Sequence, residues 1–275
     1  MNLSVSFIAV LFLLSCQELP KEIFDECTIY SLNQPNDVWK MPKKLNEISG
    51  IEINNQKIIC NNDEDGDIFI FDLITQKIER TIHFAKKGDF EDIAIKESDA
   101  FVLRSDGAIF EIKNYLKNPQ SLKHKTFLTQ IDDAEGLFFD ASKNRLLIAC
   151  KGNSDKTTKG LRFIYEFLLE DKNLNQHPVL TLSQKEIRSK YKIKNHLAPS
   201  GIAIHPITKN IYIISSVGKL LVECTPKGNL QKVYDLNYSL FQQPEGISFD
   251  INGDLYISNE AEGGKANTLK FNYFL

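Results

Sequence analysis

No stretch of this chain is apolar for long enough to span a bilayer as a helix of the mature protein. Nor is there an excess of base. Lys and Arg number 33 against 36 Asp and Glu, a formal charge of −3, so nucleic acid is offered no basic face and is not expected as a partner. The cysteines form no CxxC pair and the five histidines (His83, His124, His177, His196, His205) share no ligand spacing, which removes the usual zinc patterns. A GxSxG elbow and an HExxH pair are both missing. The acidic run Asp63-Glu64-Asp65-Gly66-Asp67 lacks the spacing of an EF-hand loop and reads as a solvated turn.

What the chain has is one short phrase used five times. It reads Ser49-Gly50-Ile51-Glu52-Ile53, Glu91-Asp92-Ile93-Ala94-Ile95 and Glu135-Gly136-Leu137-Phe138-Phe139, then Ser200-Gly201-Ile202-Ala203-Ile204 and Glu245-Gly246-Ile247-Ser248-Phe249. Its second position recurs at steps of 42, 44, 65 and 45 residues. A period of about 40–45 residues built only of strands is that of a propeller blade. The long step exceeds the others by too little to hide another blade of roughly 40 residues. The fold class is therefore all-β, a five-bladed β-propeller.

Three further strands follow each phrase, separated by turn-forming residues. In the second repeat the outer strand is predicted near Lys125–Gln130, and in the third near Val179–Leu182. The fifth repeat is one strand short at Leu275. The N-terminal segment Cys27–Trp39, through its strand-like Cys27–Leu32, is predicted to supply the missing strand and close the ring, leaving no open edge. Within the long step, Ser183 and Glu186 fit a capping box and predict a short helix in the insertion 183–198. That insertion carries Arg188, Lys185, Lys190, Lys192 and Lys194 against one Glu. It is either a solvated face or a ligand-binding one.

The run Leu3–Leu14 has the length of a signal-peptide core and ends in Leu13-Leu14-Ser15-Cys16, which looks like the lipobox of a bacterial lipoprotein. No Lys or Arg precedes it. The expected organisation is a signal peptide over 1–16 with Cys16 lipidated, a tether over 17–24, and one propeller domain over 25–275. Acyl chains on Cys16 would hold the protein on the membrane, in the cell envelope facing the periplasm or the cell surface. Of the other cysteines (Cys27, Cys60, Cys150, Cys224), small buried thiols are expected rather than a bridge.

Strand alternation places the start of every phrase on the face where the second strand turns into the third. Ser49, Glu91, Glu135, Ser200 and Glu245 should circle the axis there. The neighbouring turns add Asp63, Glu64, Arg104, Lys151, Asn259 and Glu260. Glu91, Glu135 and Glu245 converging near an axis are hard oxygen ligands of the kind Ca²⁺ takes. The same residues would also serve as acceptors that fix blade spacing, or as acids in a metal-dependent hydrolase.

The phrases NHLAPSGIAIHPITKNIYIISSVGKLLVE, FQQPEGISFDINGDLYISNEAEGGKANTLKF and GDFEDIAI resemble the SdiA-regulated family of β-propellers from Gram-negative envelopes. The resemblance runs over about residues 45–275. It implies a propeller in the envelope with a link to calcium. Phytase-like and gluconolactonase-like propellers, its distant relatives, bind Ca²⁺ through axial carboxylates, which points at Glu91, Glu135 and Glu245. Ser49 and Ser200 leave the carboxylate ring incomplete, against a phytase-like multi-calcium centre. The expected function is a lipid-anchored, monomeric propeller that binds calcium or a small anionic ligand. The alternatives are a metal-dependent phytase-, esterase- or lactonase-like hydrolase, or a scaffold for an envelope protein docking through 183–198.

Overall fold

A computed structural model describes residues 29–153 and 156–274. The first strand, β1 (Asp37–Lys40), belongs to the last blade. Blade one is β2 (Ile48–Asn54), β3 (Lys57–Asn62), β4 (Asp67–Asp72) and β5 (Lys77–His83). Blade two is β6 (Phe90–Lys96), β7 (Asp99–Arg104), β8 (Ile109–Lys113) and β9 (Gln120–His124). Blade three is β10 (Ala134–Asp140), β11 (Arg145–Cys150) and β12 (Leu161–Leu168), with both β13 (Asn173–Leu174) and β14 (Leu180–Ser183) on its outer edge. After α1 (Gln184–Tyr191), blade four runs through β15 (Ala198–Ile204), β16 (Ile211–Val217), β17 (Leu220–Cys224) and β18 (Leu230–Asp235). Blade five is β19 (Pro244–Phe249), β20 (Leu255–Asn259) and β21 (Asn267–Phe271), completed by β1.

The inner strands β2, β6, β10, β15 and β19 pack in that order, and β19 returns to β2. Each gap between neighbouring blades holds its own apolar core. Ile59, Ile68 and Phe84 of blade one meet Phe90, Val102 and Phe110 of blade two, and four similar cores complete the circle. Blades pair through β-branched and aromatic faces, so removing them from water drives ring closure as much as strand pairing does.

The phrase forms the hub because its second residue lies against the next blade. A Cβ on Gly50 would stand 2.2 Å from Asp92 Oδ1, and one on Gly246 would stand 2.5 Å from Ser49 O. Blade two carries Asp92 in this slot, and its buried carboxylate accepts from Leu137 N of blade three at 2.6 Å and from Ile93 N at 2.8 Å. Close approach requires glycine or a side chain that itself bridges the gap.

The ring is closed by β1, with Asp37 opposite Lys270 and Lys40 opposite Asn267. The predicted closing strand at Cys27–Leu32 is thus corrected to Asp37–Lys40; Cys27 and Thr28 lie outside the described residues. Tyr30 accounts for the shift. Its ring is buried against His205, Tyr212, Phe249 and Tyr273, and its hydroxyl donates to Gly253 O at 2.6 Å, so this apolar run plugs a core instead of joining a sheet. The outer strand of blade two is likewise Gln120–His124 and not Lys125–Gln130. There Thr126 Oγ1 donates to Gly107 O at 2.9 Å and Leu128 is buried in a core, which commits the more apolar segment to packing. The predicted helix is α1, with Ser183 Oγ accepting from Glu186 N at its cap. Cys60, Cys150 and Cys224 are buried free thiols.

Candidate functional site

A register shift interrupts every inner strand at the phrase. Phe90 faces Arg104 while Asp92 faces Leu103, leaving Glu91 between them. Ala134 and Gly136 straddle Glu135 in the same way, and Pro199 and Gly201 straddle Ser200. β2 and β19 shift register across Ser49 and Glu245. A bulge re-aims the residue it releases, and here the residue released is the first of the phrase.

Two more positions, repeated in four of the five blades, build the face. The residues opening the turns after the second strands, Asp63, Ser105, Lys151 and Glu260, donate their backbone N–H groups to the carbonyls of Glu47, Asp89, Asp133 and Gln243. Each acceptor stands two residues before a phrase. The side chains then pair across these positions. Lys151 Nζ donates to Glu135 at 2.7 Å. Ser216 Oγ donates to Glu245 at 2.9 Å. Ser105 Oγ donates to Asp89 at 2.5 Å, and Gln243 donates to Glu260.

The result is a concentration of acids that share one field. Burial, then Glu135, Asp89 and Glu245, push the Glu91 carboxyl far above the usual carboxylate range. Burial raises Glu135 too, with Lys151 working against it, and Glu245 is raised by burial. Glu260 is pushed up to about 9 by burial, then by Glu245, Asp63 and Glu47. Asp63 reaches about 6, through burial and then Glu47, Glu64 and Asp89. Burial works against the Lys151 ammonium, but Glu135, Asp133 and Glu245 outweigh it and hold its pKa above the ordinary lysine value.

One group of three carboxylates among the described residues brings ligand atoms within 4.8 Å of one another: Glu47, Asp63 and Glu260. Asp63 Oδ1 is buried there with no hydrogen-bond partner. This trio lies between blades one and five, beside Glu91, Glu135 and Glu245. The latter interact electrostatically, but Glu135 is tied to Lys151 and Glu245 to Ser216 instead of forming such a trio. Asp63 and Glu260 were candidates from the sequence; Glu47 was not. Its signal was the alternation that puts Glu47, Asp89 and Asp133 each two residues before a phrase.

Other candidates are occupied by the fold. Ser200 Oγ donates to Pro244 O at 2.8 Å, and Ser49 offers its carbonyl to Ser258 Oγ at 2.9 Å. Both are contacts between blades. Arg104 turns back onto Asp106, Nε to Oδ1 at 2.9 Å and Nη2 to Oδ2 at 2.5 Å. Glu64 reaches outward to Lys87 at 3.3 Å. Asn259 is buried and donates to Asn267 Oδ1 at 3.0 Å. Cys16 lies outside the described residues.

The fold and this face define a five-bladed propeller with an acidic axial mouth. The chain belongs to the SdiA-regulated family, whose profile matches residues 46–262. No curated protein matches the sequence. Among solved structures it is similar to the glutaminyl cyclase of Myxococcus xanthus, at 11% identity and TM-score 0.61, over 87% of this chain and 95% of that one. It is similar also to the PQQ-bound aldose sugar dehydrogenase of Streptomyces coelicolor, at 12% identity and TM-score 0.55, over 86% and 97%. A Bacteroides thetaiotaomicron protein of unknown function aligns at 13% identity and TM-score 0.53, over 82% and 55%. At such identities the likeness is one of fold.

Proposed function

We propose that this protein is a lipid-anchored propeller of the bacterial envelope whose axial mouth binds one hard divalent cation, calcium by preference. The observation that carries the reading is the Glu47–Asp63–Glu260 trio, with ligand atoms within 4.8 Å of one another and a buried, unpartnered oxygen on Asp63. Carboxylates this close repel unless protons or a cation separate them. Calcium takes six to eight oxygens, so the trio supplies part of a shell that water and carbonyl groups complete. Glu91, Glu135 and Glu245 deepen the negative field at the mouth and are the second ligand group. Anchoring through Cys16 rests on the lipobox-like Leu13-Leu14-Ser15-Cys16.

Calorimetric titration of the full chain with Ca²⁺ tests the site. Binding in the micromolar range is expected, weakened at least tenfold by Asp63→Asn with Glu260→Gln, and less by Glu91, Glu135 and Glu245 all changed to Gln. Absence of binding heat, or equal affinity in both variants, would remove the cation from this face.

A further inference from the structure

A second, oppositely charged site lies off the axis. Where α1 packs over the start of β12, a groove of about 650 Å³ is lined by Asn153, Lys159, Arg162, Gln184, Arg188 and His196. That volume suits a small-molecule ligand. No acidic residue lines it among the described residues, and Lys159, Arg162, Lys185 and Arg188 make no ion pair with any described residue. In a protein with an excess of acid this is a local concentration of unneutralised base, and Lys185 extends it along the rim.

The two guanidinium groups are held in place while keeping donors free. Arg162 Nε donates to Leu197 O at 3.0 Å and its Nη1 to Leu161 O at 2.8 Å, which leaves Nη2 without an acceptor among the described residues. Gln184 fixes the facing wall, accepting from Leu197 N at 2.9 Å and donating to Leu197 O at 2.5 Å. Arg188 rests Nη2 against the His196 ring at 2.8 Å, and its Nε is buried with no hydrogen-bond partner. A buried guanidinium N–H with no acceptor carries an uncompensated desolvation cost. Burial lowers the pKa of Arg162, the same strain seen from its own proton. An oxyanion supplies what both lack.

The geometry points to this groove as a binding site for a phosphate group, the planar donor forks of Arg162 and Arg188 gripping its oxygens and Lys159 and Lys185 adding charge. Arginine forks match phosphate geometry, and the described lining carries base without acid. The site is independent of the axial one; calcium binding could fail and the groove would still hold phosphate. The phosphate is carried either by a soluble small molecule or by a lipid headgroup.

The test is titration of the full chain, in chelator and at low ionic strength, with inorganic phosphate, glycerol phosphate and vesicles containing phosphatidic acid. Saturable binding that weakens as salt rises is expected. Response to the soluble probes identifies a soluble ligand, and response to the vesicles alone identifies a headgroup. Arg188→Gln should weaken binding at least tenfold and Lys159→Gln severalfold, while Lys194→Gln, outside the groove, should leave it unchanged. The inference is overturned if no probe saturates, or if Arg188→Gln binds as well as the parent with an unchanged melting temperature. If Arg188→Gln fails to fold, the double variant Lys159→Gln/Lys185→Gln decides, since neither side chain makes a hydrogen bond with a described residue; unchanged affinity there also overturns it.

Discussion

Lys151 donates to Glu135 at 2.7 Å and lies 4.0 Å from Asp133. It therefore does two jobs of opposite sign. Without metal it is the counter-charge that works against the burial of the Glu135 carboxyl. Beside the proposed cation it is a like charge that repels the ion. Its side chain is 30% exposed, so the pair is discounted for solvent, and Lys151→Met should cost the metal-free protein about 1–2 kcal/mol. The same change removes a repulsion of more than about 1 kcal/mol at an effective dielectric near 20, so calcium should bind roughly tenfold more tightly. Urea unfolding in chelator and calcium titration read the two effects separately. A fall in both would mean that the ammonium organises the acids instead of competing with the ion. Asp92 shows how a residue can depart from a repeat and keep its role. In the glycine slot it fills the gap between blades with a carboxylate that accepts from Leu137 N and Ile93 N, where the other blades approach directly.

The closing strand is where one element holds two blades. Trp39 stacks on Tyr256 of blade five, ring centroids 6.1 Å apart, and its indole N–H donates to Leu73 O of blade one at 3.1 Å. Trp39→Ala should destabilise the ring by about 2–3 kcal/mol, less than a fully buried Trp because the residue is only partly buried. Trp39→Phe keeps the stack and should lose about 1 kcal/mol, the share of the hydrogen bond. Urea midpoints at constant slope check both values. Equal losses in the two variants would assign the effect to the hydrogen bond alone. This element also marks the limit of what was legible in the residues. The blade period, the inner strands and the helix cap at Ser183 could be read because each follows a short local rule. The outer strand of blade three was read near Val179–Leu182 and is β14 at Leu180–Ser183, but those of blades two and five could not be placed, since their residues are largely exposed and apolar runs nearby, Tyr30 and Leu128 among them, are buried in cores between blades. The candidate site was half legible. The phrase residues were visible as a repeat, whereas the bulges that aim them and the contact of Glu47 with Asp63 and Glu260 depend on register across strands, which composition and spacing do not encode.

At the scale of the molecule, the axial acids make stability depend on pH in an unusual direction. A carboxyl whose folded pKa lies above its unfolded value binds its proton more tightly in the native state, so the native state takes up more protons and stability falls as pH rises. Glu260, pushed up to about 9, Glu52, raised by burial to about 7, and Asp63, at about 6, all act in this sense. Their contribution is fully present below about pH 4 and is lost between there and pH 9. The carboxyls held low act in the opposite sense. Asp140 is lowered by donation from Ser142 and then Arg145, and Glu166 by Arg145 and then Asn175, all outweighing burial, and their stabilisation is lost only below about pH 4. Between pH 5 and pH 9 the raised group therefore sets the slope. In chelator, the unfolding free energy should drop by about 2 kcal/mol across that window, roughly 5 °C in melting temperature. Calcium should reverse the drop, because it takes the place of the protons. At a hundredfold excess over its dissociation constant it contributes about 2.7 kcal/mol, an effect that should be largest near pH 9 and shrink toward pH 5, where protons already occupy the acids. Thermal melts at pH 5, 7 and 9, each with chelator and with calcium, measure both slopes. A melting temperature that rises with pH in chelator would show that the axial carboxylates are paired in the apo ring and have no room for an ion. Calcium stabilisation independent of pH would place the ion away from Asp63 and Glu260.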